Sequence, residues 1–464
     1  MFLIAALNVL QVLSADIGNA YLNAPNREKV YAIAGKEFGS RAGQTVIIIR
    51  ALYGLKSAGA AWRSHLANSL VALGYKSCLA DPDIWMRPAV KDNNSHYYEY
   101  LAIYVDDTLC ISHDPMKTME AISKLYRIKD NSIEPPKTYL GAQVLQYKLP
   151  NDNSKIRWAM SSQHYIANAV KTVEDELKKT GRQLSNNVKT PIANGYRPEL
   201  DLTPLLRPDQ ANYYQNLIGI LRWAIELGRI DIHVHVSMLS SFLASPRQGH
   251  LEQVLHIFAY LKKYDRSTMV FDDTIPNIDE TKFPIADWTE FYRDAKEEIP
   301  PNAPEPRGKE VHMYCFCDAD HAGDRLTRRS QTGIIIFLNR APIVWYSKKQ
   351  NTVESSSFGS EFVALRIAVE LIISLRYKLR MMGIPIDTPC LTLCDNETAI
   401  RNSTIPESTL KKKHNSIAYH RVRESVAANI LRIGYVPSSD NLADMLTKPL
   451  TREKIHDFCE QILY

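Results

Sequence analysis

Cysteine is scarce and unpatterned in this chain. Seven residues, an odd number with no CxxC pair, argue against a disulfide framework or a zinc ribbon. Cys315 and Cys317 alternate along one strand-like run, and Cys390 and Cys394 bracket another. Buried free thiols in a reducing, intracellular setting fit that pattern. Long apolar runs are missing too. The opening MFLIAALNVLQVLSAD has the apolar core of an export signal but no basic residue before it, and it is too short to span a bilayer, so neither export nor a membrane partner is expected. There is no P-loop, no DTG signature of an aspartic protease and no zinc knuckle, and no internal repeat. Neither sign of charge dominates: 56 Lys and Arg against 51 Asp and Glu leave +5, compatible with a polyanionic partner without demanding one.

What is present suits two or three domains, since 464 residues at 45% hydrophobic exceed one typical core. Residues 1–150 mix short apolar strands with one strong helix, SAGAAWRSHLANSLVALG, where Trp62, Leu66, Leu70 and Leu73 recur at helical spacing before Gly74. Residues 151–271 read as largely helical, through QHYIANAVKTVEDELKKTG, ANYYQNLIGILRWAIELG and GHLEQVLHIFAYLKKY. Residues 272–309 turn acidic and proline-rich, the composition of a linker that buries little. Residues 310–464 run strand, strand, strand, helix, strand, helix, helix, strand, helix, the order of a mixed sheet covered by helices. The fold class is therefore α+β, followed by a mixed-sheet α/β domain.

YLAIYVDDTLCIS sets two adjacent carboxylates, Asp106 and Asp107, in an apolar hairpin. Alone, such a pair is an ordinary polar turn. VLSADIGNAYLNA adds Asp16 at the end of an apolar run, with Tyr21 five residues on, and ALYGLKSAGAAW lies between the two. Carboxylates at facing strand ends can bridge two cations about 3.5–4 Å apart. In this order the three stretches resemble the reverse transcriptase of copia-type long-terminal-repeat retrotransposons. KSAGAA stands where that family usually shows KQAPRQ.

The resemblance implies a palm over residues 1–150, and a thumb and connection over 151–271 that grip a template and primer. Asp16 and Asp106 would hold two metal ions, Asp107 would support them, and Tyr21 would bind the nucleotide by lying beneath its sugar. Lys171, Lys178, Lys179, Lys262 and Lys263 are candidates for phosphate contacts or a solvated helix face. The family's fingers would lie upstream of residue 1, so the palm is expected to be truncated.

Four further acids follow the linker: Asp318, Glu361, Asp395 and Asp444. Strand ends, helix dipoles and first turns account for each singly. CDADHAGDRLTRRSQTG, WYSKKQNTVESSSFGSEFVAL, CDNETAI and NLADMLTKPL resemble the ribonuclease H of the same elements, almost continuously from Val311 to Leu450. That resemblance makes the four acids metal ligands for cutting the RNA strand of a hybrid. The basic group Lys411, Lys412, Lys413, His414, Arg421 and Arg423 could hold hybrid phosphates, or could be a solvated face.

The resemblance thus implies magnesium at both sites, with manganese as a substitute. It implies an RNA template, a DNA primer, an RNA–DNA hybrid and deoxynucleoside triphosphates as partners, and cytoplasmic virus-like particles, or else the nucleus, as the location. Two alternatives stay open. One is a ribonuclease H attached to an inactive, truncated palm. The other is a non-enzymatic nucleic-acid-binding remnant.

Overall fold

The computed structural model describes residues 1–150, 152–410 and 416–464, and leaves aside the side chains of 153 and 154. Lys411, Lys412, Lys413 and His414 of the basic loop lie outside the described residues. The chain divides into two units.

The first unit comprises 1–136, 300–309 and 377–385. Its five-stranded antiparallel sheet runs Gln11–Asp16, Asp107–Ser112, His96–Tyr104, Ile84–Val90, Lys76–Ser77. The expected helix is Ala58–Ala72, and Gly74 past its end takes φ +85°, where a side chain would be strained. Trp62, Leu66 and Leu70 from this helix meet Leu101 and Cys110 of the sheet, together with Met119 and Ile122 of the helix Pro115–Ser123. The opening apolar segment is folded into this unit, and all six residues of the helix Phe2–Leu7 are buried. The Tyr98 hydroxyl donates to the Glu305 carbonyl at 2.9 Å and that of Tyr100 to the Met382 carbonyl at 2.8 Å, tying in the two later segments.

The second unit comprises 137–299, 310–376 and 386–464. The three expected helices are Gln163–Lys178, Pro208–Glu226 and Gln248–Lys263, packed through Val173, Leu217, Leu221, Val254 and Phe258. Another helix, His233–Ser240, is added. Asp152–Ser161, at the start of the stretch read as largely helical and ahead of its first expected helix, is a strand between Ala142–Leu149 and Thr268–Val270. Its alternation is disguised by Arg157, which is only 1% exposed and pairs with Asp272 at 2.9 Å and Asp273 at 3.3 Å. A buried ion pair whose partners stand 115 and 116 residues away leaves no local signature in sequence.

The larger sheet runs Ala341–Lys349, Gln331–Leu338, Met313–Asp320, Cys390–Cys394, Leu431–Tyr435. Its first three strands are antiparallel, and the last two run parallel to Met313–Asp320. The 25-residue helix Ser357–Met381 follows the edge strand Ala341–Lys349 in the chain. Residues 272–299 bury more than their composition suggests. Phe283 joins the core of this unit, Trp288 lies under the Arg423 guanidinium at 4.8 Å, and Glu297 holds the buried Arg376 at 2.7 Å. Two aromatics and a paired charge anchor a segment whose prolines forbid regular pairing.

Candidate active sites

In the first unit, antiparallel register brings Asp16 directly opposite Asp107, although 91 positions separate them in sequence. Asp106 sits in the two-residue turn between the paired Tyr104 and Asp107, and its carbonyl accepts from the Ile17 amide at 3.0 Å. All three acids are thereby gathered at one sheet end. Burial, then Asp106 and Asp16, push the Asp107 carboxyl upward, while Lys129 opposes them. Lys129 also pairs with Asp16 Oδ2, whereas Asp16 Oδ1 is buried with no hydrogen-bond partner.

The turn is strained. Val105, a β-branched residue, takes φ +59°, a region such residues rarely enter. The Trp62 indole N–H donates to the Val105 carbonyl at 2.6 Å and fixes it there. A cavity of about 250 Å³ beside the turn is lined by Tyr21, Gly59, Trp62, Arg63, Tyr104 and Val105, among others. It joins the three stretches on which the first resemblance rests. Tyr21 stacks on Tyr53 with ring centroids 4.6 Å apart.

In the second unit, Asp318 lies two residues before the end of Met313–Asp320, Glu361 sits in the first turns of Ser357–Met381, and Asp395 follows Cys390–Cys394. The run NLADMLTK reads as the start of the last helix; Asp444 lies instead in the separate 3-10 turn Leu442–Leu446. Pro449 separates that turn from the helix Arg452–Ile462, because proline disfavours helix in the residue before it. Gly333, opposite Asp318 on the adjacent strand, lets the turn lie on the sheet: a Cβ there would meet the Ala443 carbonyl oxygen at 2.6 Å and Thr447 Cγ2 at 2.7 Å.

One carboxylate oxygen each from Asp318, Asp395 and Asp444 lie within 4.8 Å of one another. Glu361 and Asp395 oxygens and the Cys394 sulfur form a second such group, so Asp395 links the two. Burial and then Asp444 push the Asp318 carboxyl up to about 7, while burial, Asp318 and Asp395 raise that of Glu361. Burial also acts upward on Asp444, but Lys448, with Nζ 2.8 Å from Oδ1, and Lys454 outweigh it and hold the carboxyl below its usual range. Thr447 Oγ1 donates to Asp318 at 2.5 Å and Ser438 Oγ to Asp395 at 2.6 Å. Glu361 Oε2 is buried with no hydrogen-bond partner. Crowded acids with unsatisfied oxygens are unfavourable unless a cation joins them. Hard oxygen donors of this kind suit a divalent cation.

Sequence reasoning had no means of finding Lys129, Lys448 or Lys454 as partners of the acids, nor Trp62 as the clamp on the turn. Each lies on a different element from its partner or one turn away, and each also reads as an ordinary surface or core residue. Arg423, proposed for phosphates, is only 2% exposed and donates to the carbonyls of Asn402 at 2.9 Å and Ile405 at 2.8 Å. It is a structural arginine. Arg421 stays on the surface, 3.7 Å from Glu424. Lys178, Lys179 and Lys262 each pair with a neighbouring acid.

Residues 1–180 match the family model described as reverse transcriptase (RNA-dependent DNA polymerase). The whole chain is similar to a retrovirus-related Pol polyprotein from transposon RE1 of Arabidopsis thaliana, 27% identical over 96% of this chain and 27% of the relative. It is also similar to that of transposon TNT 1-94 of Nicotiana tabacum, 25% identical over 98% of this chain and 31% of the relative. The chain thus spans under a third of the length of these relatives. Among solved structures, a foamy viral protease-reverse transcriptase in complex with RNA/DNA hybrid aligns with 96% of this chain and 68% of its own at 11% identity and TM-score 0.28. A ribonuclease H1, LC11, in complex with RNA/DNA hybrid aligns with 29% and 93% at 16% identity and TM-score 0.25.

Proposed function

We propose that this chain, a copia-type retrotransposon Pol protein, carries an RNA-directed DNA polymerase in its first unit and an RNA–DNA hybrid ribonuclease in its second. The gathering of acids from distant segments supports this reading most strongly: Asp16 opposite Asp107 in one unit, and Asp318, Asp395 and Asp444 within 4.8 Å in the other. On this reading the palm lies within 1–150, the thumb and connection within 151–271 and the ribonuclease H within 310–464, while 272–299, read from composition as part of a linker, is packed into the second unit through Phe283, Trp288 and Glu297.

Magnesium, or manganese in its place, would activate the attacking oxygen at each site and neutralise the leaving one. Asp16 and Asp106 hold it at the polymerase site, with Asp107 in support. Asp318, Glu361, Asp395 and Asp444 hold it at the nuclease site. Tyr21 presents its ring to the sugar of an incoming deoxynucleoside triphosphate within the cavity at the strained turn. Trp62 keeps Asp106 positioned by holding the Val105 carbonyl. Lys448 and Lys454 keep Asp444 ionised and ready to act as a ligand. The helices between Gln163 and Lys263 grip the duplex of RNA template and DNA primer. The family resemblance puts its action in a cytoplasmic virus-like particle or in the nucleus. None of the described helices is long and apolar enough to cross a membrane.

The test is a DNA primer annealed to an RNA template, each strand differently labelled, incubated with the chain, nucleotides and magnesium. Primer extension with RNA cleavage, both abolished by chelator, is expected. Cleavage without extension would leave the ribonuclease alone, and binding without either activity would leave a nucleic-acid-binding remnant.

A further inference from the structure

The strand Cys390–Cys394 delivers a thiol as well as a carboxylate to the nuclease cluster. Cys394 Sγ lies within 4.8 Å of ligand oxygens of both Glu361 and Asp395. It is a free, fully buried thiol, and the Asn396 amide donates to its sulfur at 3.5 Å, so the side chain is held in place. The second observation is independent of the sulfur: Glu361 is only 5% exposed, and its Oε2 lacks a hydrogen-bond partner. A buried carboxylate oxygen left without a donor, beside a thiol and a second carboxylate, is a place prepared for a positive charge.

We propose that Glu361, Cys394 and Asp395 form a site for a thiophilic divalent cation of the zinc or cadmium class. One sulfur and two carboxylate oxygens leave a fourth, open position of a tetrahedral ion. Magnesium has no use for the sulfur, whereas softer cations gain from it. On binding, the Cys394 S–H bond breaks, its proton passes to the buffer, and the sulfur–metal bond forms with no change of oxidation state. Asp395 and Glu361 are shared with the proposed nuclease ligands, so an ion seated here displaces magnesium and stops hybrid cleavage. That consequence alone rests on the nuclease reading.

The experiment is a cadmium titration of the full chain, followed by the ultraviolet thiolate-to-cadmium charge-transfer band, beside a hybrid-cleavage assay in magnesium. The wild-type chain should develop the band and lose cleavage over the same cadmium range. Cys394→Ser should lose the band, while Cys317→Ser and Cys459→Ser keep it. Glu361→Gln, which retains every thiol, should weaken cadmium binding by at least about 10-fold, the scale of losing one contributor to a metal site. It also serves as the deciding variant if Cys394→Ser does not fold. A band that is absent from the wild type, undiminished by Cys394→Ser, or unaffected by Glu361→Gln would overturn the site. Magnesium-dependent cleavage without a band would leave the nuclease reading standing and remove this proposal. A band without cleavage in magnesium would do the opposite.

Discussion

At the scale of single residues, the two carboxylate sites are shaped by side chains that are not acids. Val105 is held at φ +59° by the Trp62 indole. Val105→Gly should relieve about 1–3 kcal/mol of strain against about 0.5–1 kcal/mol of lost chain stiffness. The melting temperature should therefore hold or rise, and a clear fall would mean the turn is unstrained. Trp62→Phe keeps the ring but loses the donor, so thermal melting should report a loss of about 1 kcal/mol, with slower primer extension at unchanged hybrid cleavage. An equal loss in both activities would show a general packing defect instead. The acids themselves were legible because they stand in short, ordered motifs. Their lysine partners were not, because Lys129 lies 113 residues from Asp16 and nothing in its own neighbourhood announces the meeting.

At the scale of elements, the proposed nuclease site depends on how closely the turn Leu442–Leu446 lies against the strand Gln331–Leu338. Gly333→Ala puts a methyl group where the Ala443 carbonyl oxygen is 2.6 Å away. Backbone cannot swing aside like a long side chain, so the turn bearing Asp444 must lift. Destabilisation of about 1–3 kcal/mol is expected in thermal melts, with loss of hybrid cleavage; wild-type cleavage would show that Asp444 need not sit so close. Elements whose pattern is local were readable beforehand: the hairpin around Asp106, the helix Ala58–Ala72 and the order of the larger sheet. The strand Asp152–Ser161 was missed because Arg157 occupies a buried position on the strength of Asp272 and Asp273. The turn at Asp444 was missed because a helical-looking run is cut by Pro449. In both places a tertiary partner or a single proline outweighed periodicity.

At the scale of the whole molecule, acid should weaken the second unit through two histidines, the half-buried His233 and the buried His235. Burial lowers His233 and His235 to about 4 from an ordinary value of 6.5. Between those values the unfolded chain binds protons that the folded chain refuses, so stability falls as pH drops through that window. Thermal melts from pH 7 to 4.5 should show His235→Leu losing less stability than the wild type; parallel losses would mean the ring is protonated without cost. Division into two units predicts that the two proposed activities are separable. The measurement that bears most directly on two independent metal-dependent sites is the doubly labelled primer–template assay on Asp106→Asn and Glu361→Gln side by side. Asp106→Asn should lose primer extension and keep RNA cleavage, and Glu361→Gln should do the reverse. Each loss should exceed the roughly 100-fold upper range of outer-shell changes at metal sites. If either variant loses both activities while still folded, or neither loses any, the assignment of these acids to two separate sites is contradicted.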